Sequence, residues 1–203
     1  MTRHAPPLIL ASQSPRRSAL LSQAGFVFEV LPADIDESVI PGEPPTTYVT
    51  RVAREKCAAI SATLDAARSN AAVLAADTTI DLHGLILGKP TSYVDALAML
   101  EQLAGTTHQV HTATAARHGD REVYGLTSTA VTFRNCSTAE LEEYLERGES
   151  LDKAGAYAIQ GAGAQLVSGY VGELDTVIGL NIDLVHSLLN QLLPSEDLRN
   201  LPG

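Results

Sequence analysis

Six positions or short stretches carry side chains able to act on an anionic substrate. The first is Ser12-Gln13-Ser14-Pro15-Arg16-Arg17. Ser14-Pro15 pairs a good N-cap with a good first helical residue, so a helix should begin there. The start of that helix offers unpaired N–H groups and the positive end of the dipole. Two arginines in the first turn oppose that dipole, and a bound phosphate would reverse the penalty. The competing reading is an ordinary cap followed by two solvated arginines. Asp77-Thr78 closes the apolar run Val73-Leu74-Ala75-Ala76. A carboxylate at the carboxyl end of a strand can hold a divalent cation or orient water, or it can simply form a turn.

Lys56 falls on the apolar stripe Val49, Ala53, Ile60, Leu64. An ammonium there must either find a partner or snorkel to water. Lys89, in Gly88-Lys89-Pro90, and Asp36-Glu37 both lie in loops. Each admits a site role, cation for phosphate and acid for metal, or plain solvation. Gln160-Gly161 offers an amide that both donates and accepts, suited to a base edge or to backbone bonding. His108 and His111 are three apart in a β-like stretch and point to opposite faces, which argues against a two-His metal site. The chain has no G-x-x-x-x-G-K-[ST], G-x-G-x-x-G after a strand, G-x-S-x-G or C-x-x-C.

These residues need elements to hold them. Leu8–Ala11 reads as a buried strand, followed by a helix from Ser14 to about Ala24 that stops at Gly25. Phe26–Leu31 reads as a strand and Asp36–Pro45 as a loop. A helix is expected from about Thr46 to Ala67, then a strand over Ala71–Thr79, a turn at Asp81–Gly84 and a short strand at Leu85–Leu87. Ser92 caps a helix to about Leu103. Gln109–Arg117 and Glu122–Phe133 form a hairpin about His118-Gly119-Asp120. Ser137 with Glu140 makes a capping box for a helix to about Arg147. A strand over Gln165–Val171 and a helix over Asn181–Leu193 complete the series, and the tail after Pro194 is expected to fray. Strands and helices alternate in the first half, which predicts an α/β fold with a mixed twisted sheet and helices on both faces.

The 203 residues fit one domain or two intimately joined lobes, read as a single domain over residues 1–203. The net charge of -10 disfavours nucleic acid and polybasic membrane binding, which need a broad positive field. It leaves room for one small anion, because that needs only a local cluster among the 14 cations. Two cysteines are too few for a disulfide framework. With no signal peptide or membrane span legible, a cytoplasmic protein is expected.

Taken together and in order, the motifs resemble the Maf family of nucleoside triphosphate pyrophosphatases. The resemblance runs from about Leu8 to Leu189, through Leu10 to Arg17, Asp36-Glu37, Arg54-Glu55-Lys56, Ala76-Asp77-Thr78, Gly88-Lys89-Pro90, Leu103-Ala104-Gly105 with His108 and Val110, Asp152 through Gln160-Gly161, and Val177-Ile178-Gly179-Leu180. It implies an elongated, two-lobed fold with a central cleft, related to inosine triphosphatases. It implies hydrolysis of a nucleoside triphosphate to the monophosphate and pyrophosphate with Mg²⁺ or Mn²⁺, a house-cleaning of nucleotide pools. By the same resemblance Asp77 is the proton acceptor, and Glu37 joins it in handling metal or water. Ser12, Arg16, Arg17, Lys56 and Lys89 line the phosphates. Arg16, Thr78 and Gln160 mark the dTTP/UTP subgroup, whereas the 7-methyl-GTP type carries Trp, Gln and Glu. The sequence departs from the family at Glu173-Leu174, at Asn181 and at Ala158. Two rival readings stay open: another base preference on the same fold, and a non-catalytic nucleotide-binding regulator of cell division. The partner implied is a small nucleotide, and homodimerisation is left open.

Overall fold

The computed structural model describes residues 6–193, so the fraying expected after Pro194 lies outside the described residues. The elements are β1 (Leu8–Leu10), α1 (Pro15–Gln23), β2 (Phe28–Val30), α2 (Pro45–Ala62), β3 (Ala72–Leu82), β4 (Leu85–Leu87), α3 (Tyr93–Leu103), β5 (Thr107–His118), β6 (Arg121–Phe133), α4 (Thr138–Glu146), β7 (Val167–Val171), α5 (Leu174–Ile178) and α6 (Ile182–Leu192). Two 3-10 turns, Ala154–Ala156 and Gly161–Leu166, precede β7.

Local chemistry sets most of these boundaries. Ser14 caps α1 by accepting from Arg17 N, and Gly25, with φ of 82°, follows its end. Helix α2 stops at Ala62, five residues before the expected Ala67. Thr63 Oγ1 donates to Ile60 O at 2.8 Å and Asp65 Oδ1 accepts from Arg68 N at 3.0 Å. These short side-chain bonds offer the backbone an alternative to another helical turn. Strand β3 outruns the expected Thr79 because the turn to β4 is only two residues, His83 and Gly84, with φ of 54° and 91°. Two positive φ angles in a row are what a twisted two-residue hairpin requires. The capping box of α4 forms as expected, with Ser137 and Glu140 bonding reciprocally.

The seven strands form one mixed sheet in the order β2-β1-β3-β5-β6-β7, with β4 paired to β3 off that path. β1 runs parallel to β2 and β3, while β4 is antiparallel to β3 and β7 to β6. The chain divides into two compact units. The first comprises residues 1–77, 112–127 and 179–203; the second comprises 78–111 and 128–178. β3, β5 and β6 contribute residues to both.

In the first unit the alternation of β1 and β3 builds two cores. Leu8, Leu10, Ala72, Leu74 and Ala76 pack with Leu21 of α1 and Val185, Leu188 and Leu189 of α6. Ile9, Val73 and Ala75 face the other way, onto Val49, Ala53, Cys57 and Ile60 of α2. Helices therefore cover both faces of this part of the sheet. The second unit has one core, where Ile80, Val110, Val131 and Phe133 meet Leu100 and Leu103 of α3 and Leu141 and Leu145 of α4. Cys57 and Cys136 are free thiols. Among the described residues no helix is long and apolar enough to cross a membrane.

Candidate active site

The register of β1 and β3 decides where the first unit can bind a ligand. Leu10 pairs with Leu74, and Ala11 N donates to Leu74 O at 2.7 Å. β1 ends there. Ser12 lies two residues beyond Leu10 and Asp77 three beyond Leu74, so both emerge past the carboxyl end of β1. That is where ligands bind in open α/β sheets.

Lys56 resolves its ambiguity on the α2 stripe. It is 7% exposed, and its Nζ lies 2.8 Å from Asp77 Oδ1 and 3.0 Å from Glu37 Oε2. Asp77 is equally withdrawn, at 6% exposure, whereas the Glu37 side chain is 41% exposed. One buried ammonium thus gathers a strand carboxylate and a loop carboxylate. Unpaired, either buried charge would be costly; together they satisfy each other.

The loop bearing Glu37 has no strand or helix of its own, and α2 holds it from below. Tyr48 Oη donates to Glu37 O at 3.1 Å, and Arg51 donates to Ser38 O at 2.9 Å. Arg51 also grips both Glu43 oxygens, at 2.8 and 2.9 Å, and reaches Glu55 at 3.0 Å. Those bonds, the one to Glu43 foremost, push the Arg51 guanidinium well above its ordinary range. Burial, then the charges of Asp77 and Glu37, push the Tyr48 phenol up to about 12, so it remains a donor. Sequence reasoning missed Tyr48 and Arg51. The only advance signal was the i,i+4 spacing of Arg51 and Glu55. Asp36, the neighbour of Glu37, instead closes its own turn on Ser38 N and Oγ.

At the start of α1, Arg17 is buried. Its Nε donates to Gly179 O at 2.8 Å and one Nη to Ser12 Oγ at 3.2 Å. Ser12 Oγ also accepts from Ser14 N at 3.2 Å. Burial pulls the Arg17 guanidinium below its ordinary range, Asp77 opposes that, and Arg16 adds to it. Arg17 therefore ties the helix start, Ser12 and the Gly179 segment together. Arg16 is half-buried beside it. Asn181, one of the positions where the sequence departs from the resemblance, accepts from Leu184 N at 2.8 Å and caps α6.

Ser12, Arg16, Arg17, Glu37, Lys56 and Asp77 all belong to the first unit. Thr78, Lys89 and Gln160 belong to the second. Thr78 is the next residue of β3 and half-buried. Lys89 is exposed after β4. Gln160 is exposed before the 3-10 turn at Gly161, and its side chain makes no capping bond. His108 and His111 take separate partners: the first meets Tyr157 Oη at 2.8 Å and the second Ser128 Oγ at 2.7 Å.

The family model described as Maf-like protein matches residues 7–192. A dTTP/UTP pyrophosphatase of Pseudoalteromonas atlantica is 46% identical over 186 residues, covering 91% of this chain and 96% of that protein. One from Anaeromyxobacter dehalogenans is 47% identical over 191 residues, covering 92% and 94%. One from Latilactobacillus sakei is 45% identical over 181 residues, covering 89% and 98%. With a family match along almost its whole length, and relatives above 40% identity over about nine-tenths of it, the chain belongs to the Maf-like proteins.

Proposed function

We propose that the chain hydrolyses dTTP and UTP to the monophosphate and pyrophosphate. The observation that carries this reading is Asp77, withdrawn from water, bonded to Lys56 and acting electrostatically on Arg17 in the first turn of α1. A carboxylate held there has one oxygen on the ammonium and a second for a water molecule. It orients that water toward the α-phosphorus and accepts its proton, and pyrophosphate leaves. Arg16, Lys56 and the N-terminus of α1 stabilise the charge that builds on the phosphates. Arg17 holds Ser12 and the helix start in place for them. Electrostatic stabilisation dominates, since general-base help is worth only about 10²–10⁴-fold. The roles of Thr78, Lys89 and Gln160 rest on the family motifs alone.

The donor set suits a hard divalent cation that brings phosphate and water ligands with it. Among the described residues no group of three or more His, Cys, Asp or Glu could hold a metal. Asp77 and Glu37 are the two carboxylates that would hold Mg²⁺ or Mn²⁺. Once bound, the cation neutralises phosphate charge. Two free thiols and a nucleotide substrate fit a cytoplasmic location.

The test is a panel of triphosphates with pyrophosphate detection, run on the wild type and on Asp77→Asn. Turnover of dTTP and UTP above 7-methyl-GTP and purine nucleotides, lost in a folded Asp77→Asn, is the expected outcome. Near-normal turnover by Asp77→Asn would refute the assignment, and nucleotide binding without any turnover in Mg²⁺ or Mn²⁺ would favour a regulator.

A further inference from the structure

The second unit contains a Ser-His-Asp relay built from residues outside the reaction described above. His111 Nδ1 lies 2.7 Å from Ser128 Oγ, and His111 Nε2 lies 3.3 Å from Asp81 Oδ2. The scaffold fixes this contact. Counting back from the two-residue turn at Gly119 and Asp120 pairs His118 with Arg121, Thr107 with Thr132 and His111 with Ser128. The hydroxyls of Thr107 and Thr132 meet at 2.9 Å, so the count holds to the far end of the hairpin. Directly opposite side chains on adjacent strands are in reach of each other. Asp81 is fixed separately, because its Oδ1 accepts from Gly84 N at 2.6 Å in the turn to β4. A constellation on strands, with its third member pinned by a turn, is held more rigidly than one on loops.

The hydrogen bonds also choose the tautomer. A carboxylate only accepts, so the imidazole nitrogen facing Asp81 carries the proton. In the neutral ring Nδ1 is then the nitrogen with the lone pair, the one that can accept from the Ser128 hydroxyl. Ser128 is exposed, whereas the His111 side chain is only 8% exposed. The serine thus stands at an exposed position while its base is shielded. This is the nucleophile, base and orienting group of an activated serine, with the two ring nitrogens exchanged relative to the usual assignment.

The geometry points to Ser128 as an activated hydroxyl, a site of covalent modification by electrophilic acyl or phosphoryl donors. In that step the Ser128 Oγ forms a bond to the acyl carbon or phosphorus. The leaving group departs with the electron pair of the broken bond, and the Oγ proton passes to His111 Nδ1. Asp81 stabilises the imidazolium.

The experiment uses the whole chain and an alkyl fluorophosphonate, from which fluoride leaves. The wild type takes up one equivalent, located on Ser128 by peptide mass spectrometry, and does so faster than the same protein unfolded in urea. Ser128→Ala, at an exposed position, loses the label. His111→Gln slows labelling by about 10²-fold or more, the scale of general-base help. Asp81→Asn keeps the side-chain size, frees the imidazole to take the other tautomer, and slows labelling independently of any folding defect in His111→Gln. Labelling at another residue, labelling no faster than in urea, or an unchanged rate in both His111→Gln and a folded Asp81→Asn would overturn the proposal.

Discussion

Lys56 Nζ sits 2.8 Å from Asp77 Oδ1, with both side chains 9% exposed, and joins the middle of α2 to β3. The pair places a charge contact where the rest of the α2 stripe buries Val49, Val52, Ala53, Cys57 and Ile60. Taking one charge away leaves the other buried and unpaired, which costs about 3–5 kcal/mol. Lys56→Met is therefore expected to lose that much stability in urea unfolding as well as turnover. Adding Asp77→Leu to Lys56→Met should recover most of the stability and none of the turnover. A Lys56→Met protein as stable as the wild type would show that the ion pair does not bear on the fold.

Lys56 could be read from the sequence because periodicity placed a charge on an apolar stripe. Asp77 could be read because an apolar run ended in it, and Ser14-Pro15 because its cap chemistry is local. What joins these residues was not readable. Glu37 reaches Lys56 from a loop without periodicity, and Arg51 holds that loop through Glu43, eight residues away. No local rule carries such a contact. The end of α2 at Ala62 was decided by Thr63 and Asp65 side-chain bonds that outweigh helix propensity. The five residues of α5 and the turn at Ala154–Ala156, with Gly155 and Ala156 at positive φ, are too short for any pattern.

Arg51 tests whether the loop matters for turnover or only for packing. Its four bonds reach Glu43, Ser38 and Glu55, and none reaches Asp77 or Lys56. Arg51→Ala should weaken the hold on Glu37 and reduce turnover or metal affinity by about 10–100-fold, the usual cost of removing an outer support. A titration with Mn²⁺ separates this from general damage, because the concentration for half-maximal turnover should rise in the protein that remains folded, whatever stability is lost when the Glu43 side chain, only 6% exposed, loses its partner. Arg51→Lys should not rescue, since an ammonium cannot fork onto both Glu43 oxygens. An unchanged metal requirement in Arg51→Ala would remove Arg51 from this role.

Gly163, in the second unit, has no room for a side chain. A Cβ built there would run into Ala158 O and come within 2.9 Å of Ala158 C, both backbone atoms. Backbone yields less readily than a flexible side chain, so Gly163→Ala is expected to cost about 1–3 kcal/mol or more. Gly169, on β7, is the matched control: a Cβ there meets nothing within 4 Å. Gly169→Ala should be neutral or slightly stabilising, because the unfolded chain loses freedom. Comparing the melting temperatures of the two variants isolates the steric term. Equal melting temperatures would refute it.

His108 sets a pH dependence of stability. It is 2% exposed, bonds Tyr157 Oη at 2.8 Å, and lies edge-on to the rings of Phe133 and Tyr157. Burial pushes its imidazole down to about 4. Unfolded, the same group titrates at about 6.5. Between those values the unfolded chain binds the proton and the folded chain does not, so stability rises with pH across that window and falls as pH drops through it. Above about 6.5 both states are neutral and the group adds no slope. A displacement this large corresponds to about 3 kcal/mol between the two plateaus. His108→Gln does not titrate. It should lose some stability near neutral pH from the altered packing, yet show a flatter dependence between pH 6.5 and 4. Unfolding free energies measured in urea at several pH values give the comparison, in which the carboxylates common to both proteins cancel. Parallel curves for wild type and variant would mean that His108 is protonated in the folded protein.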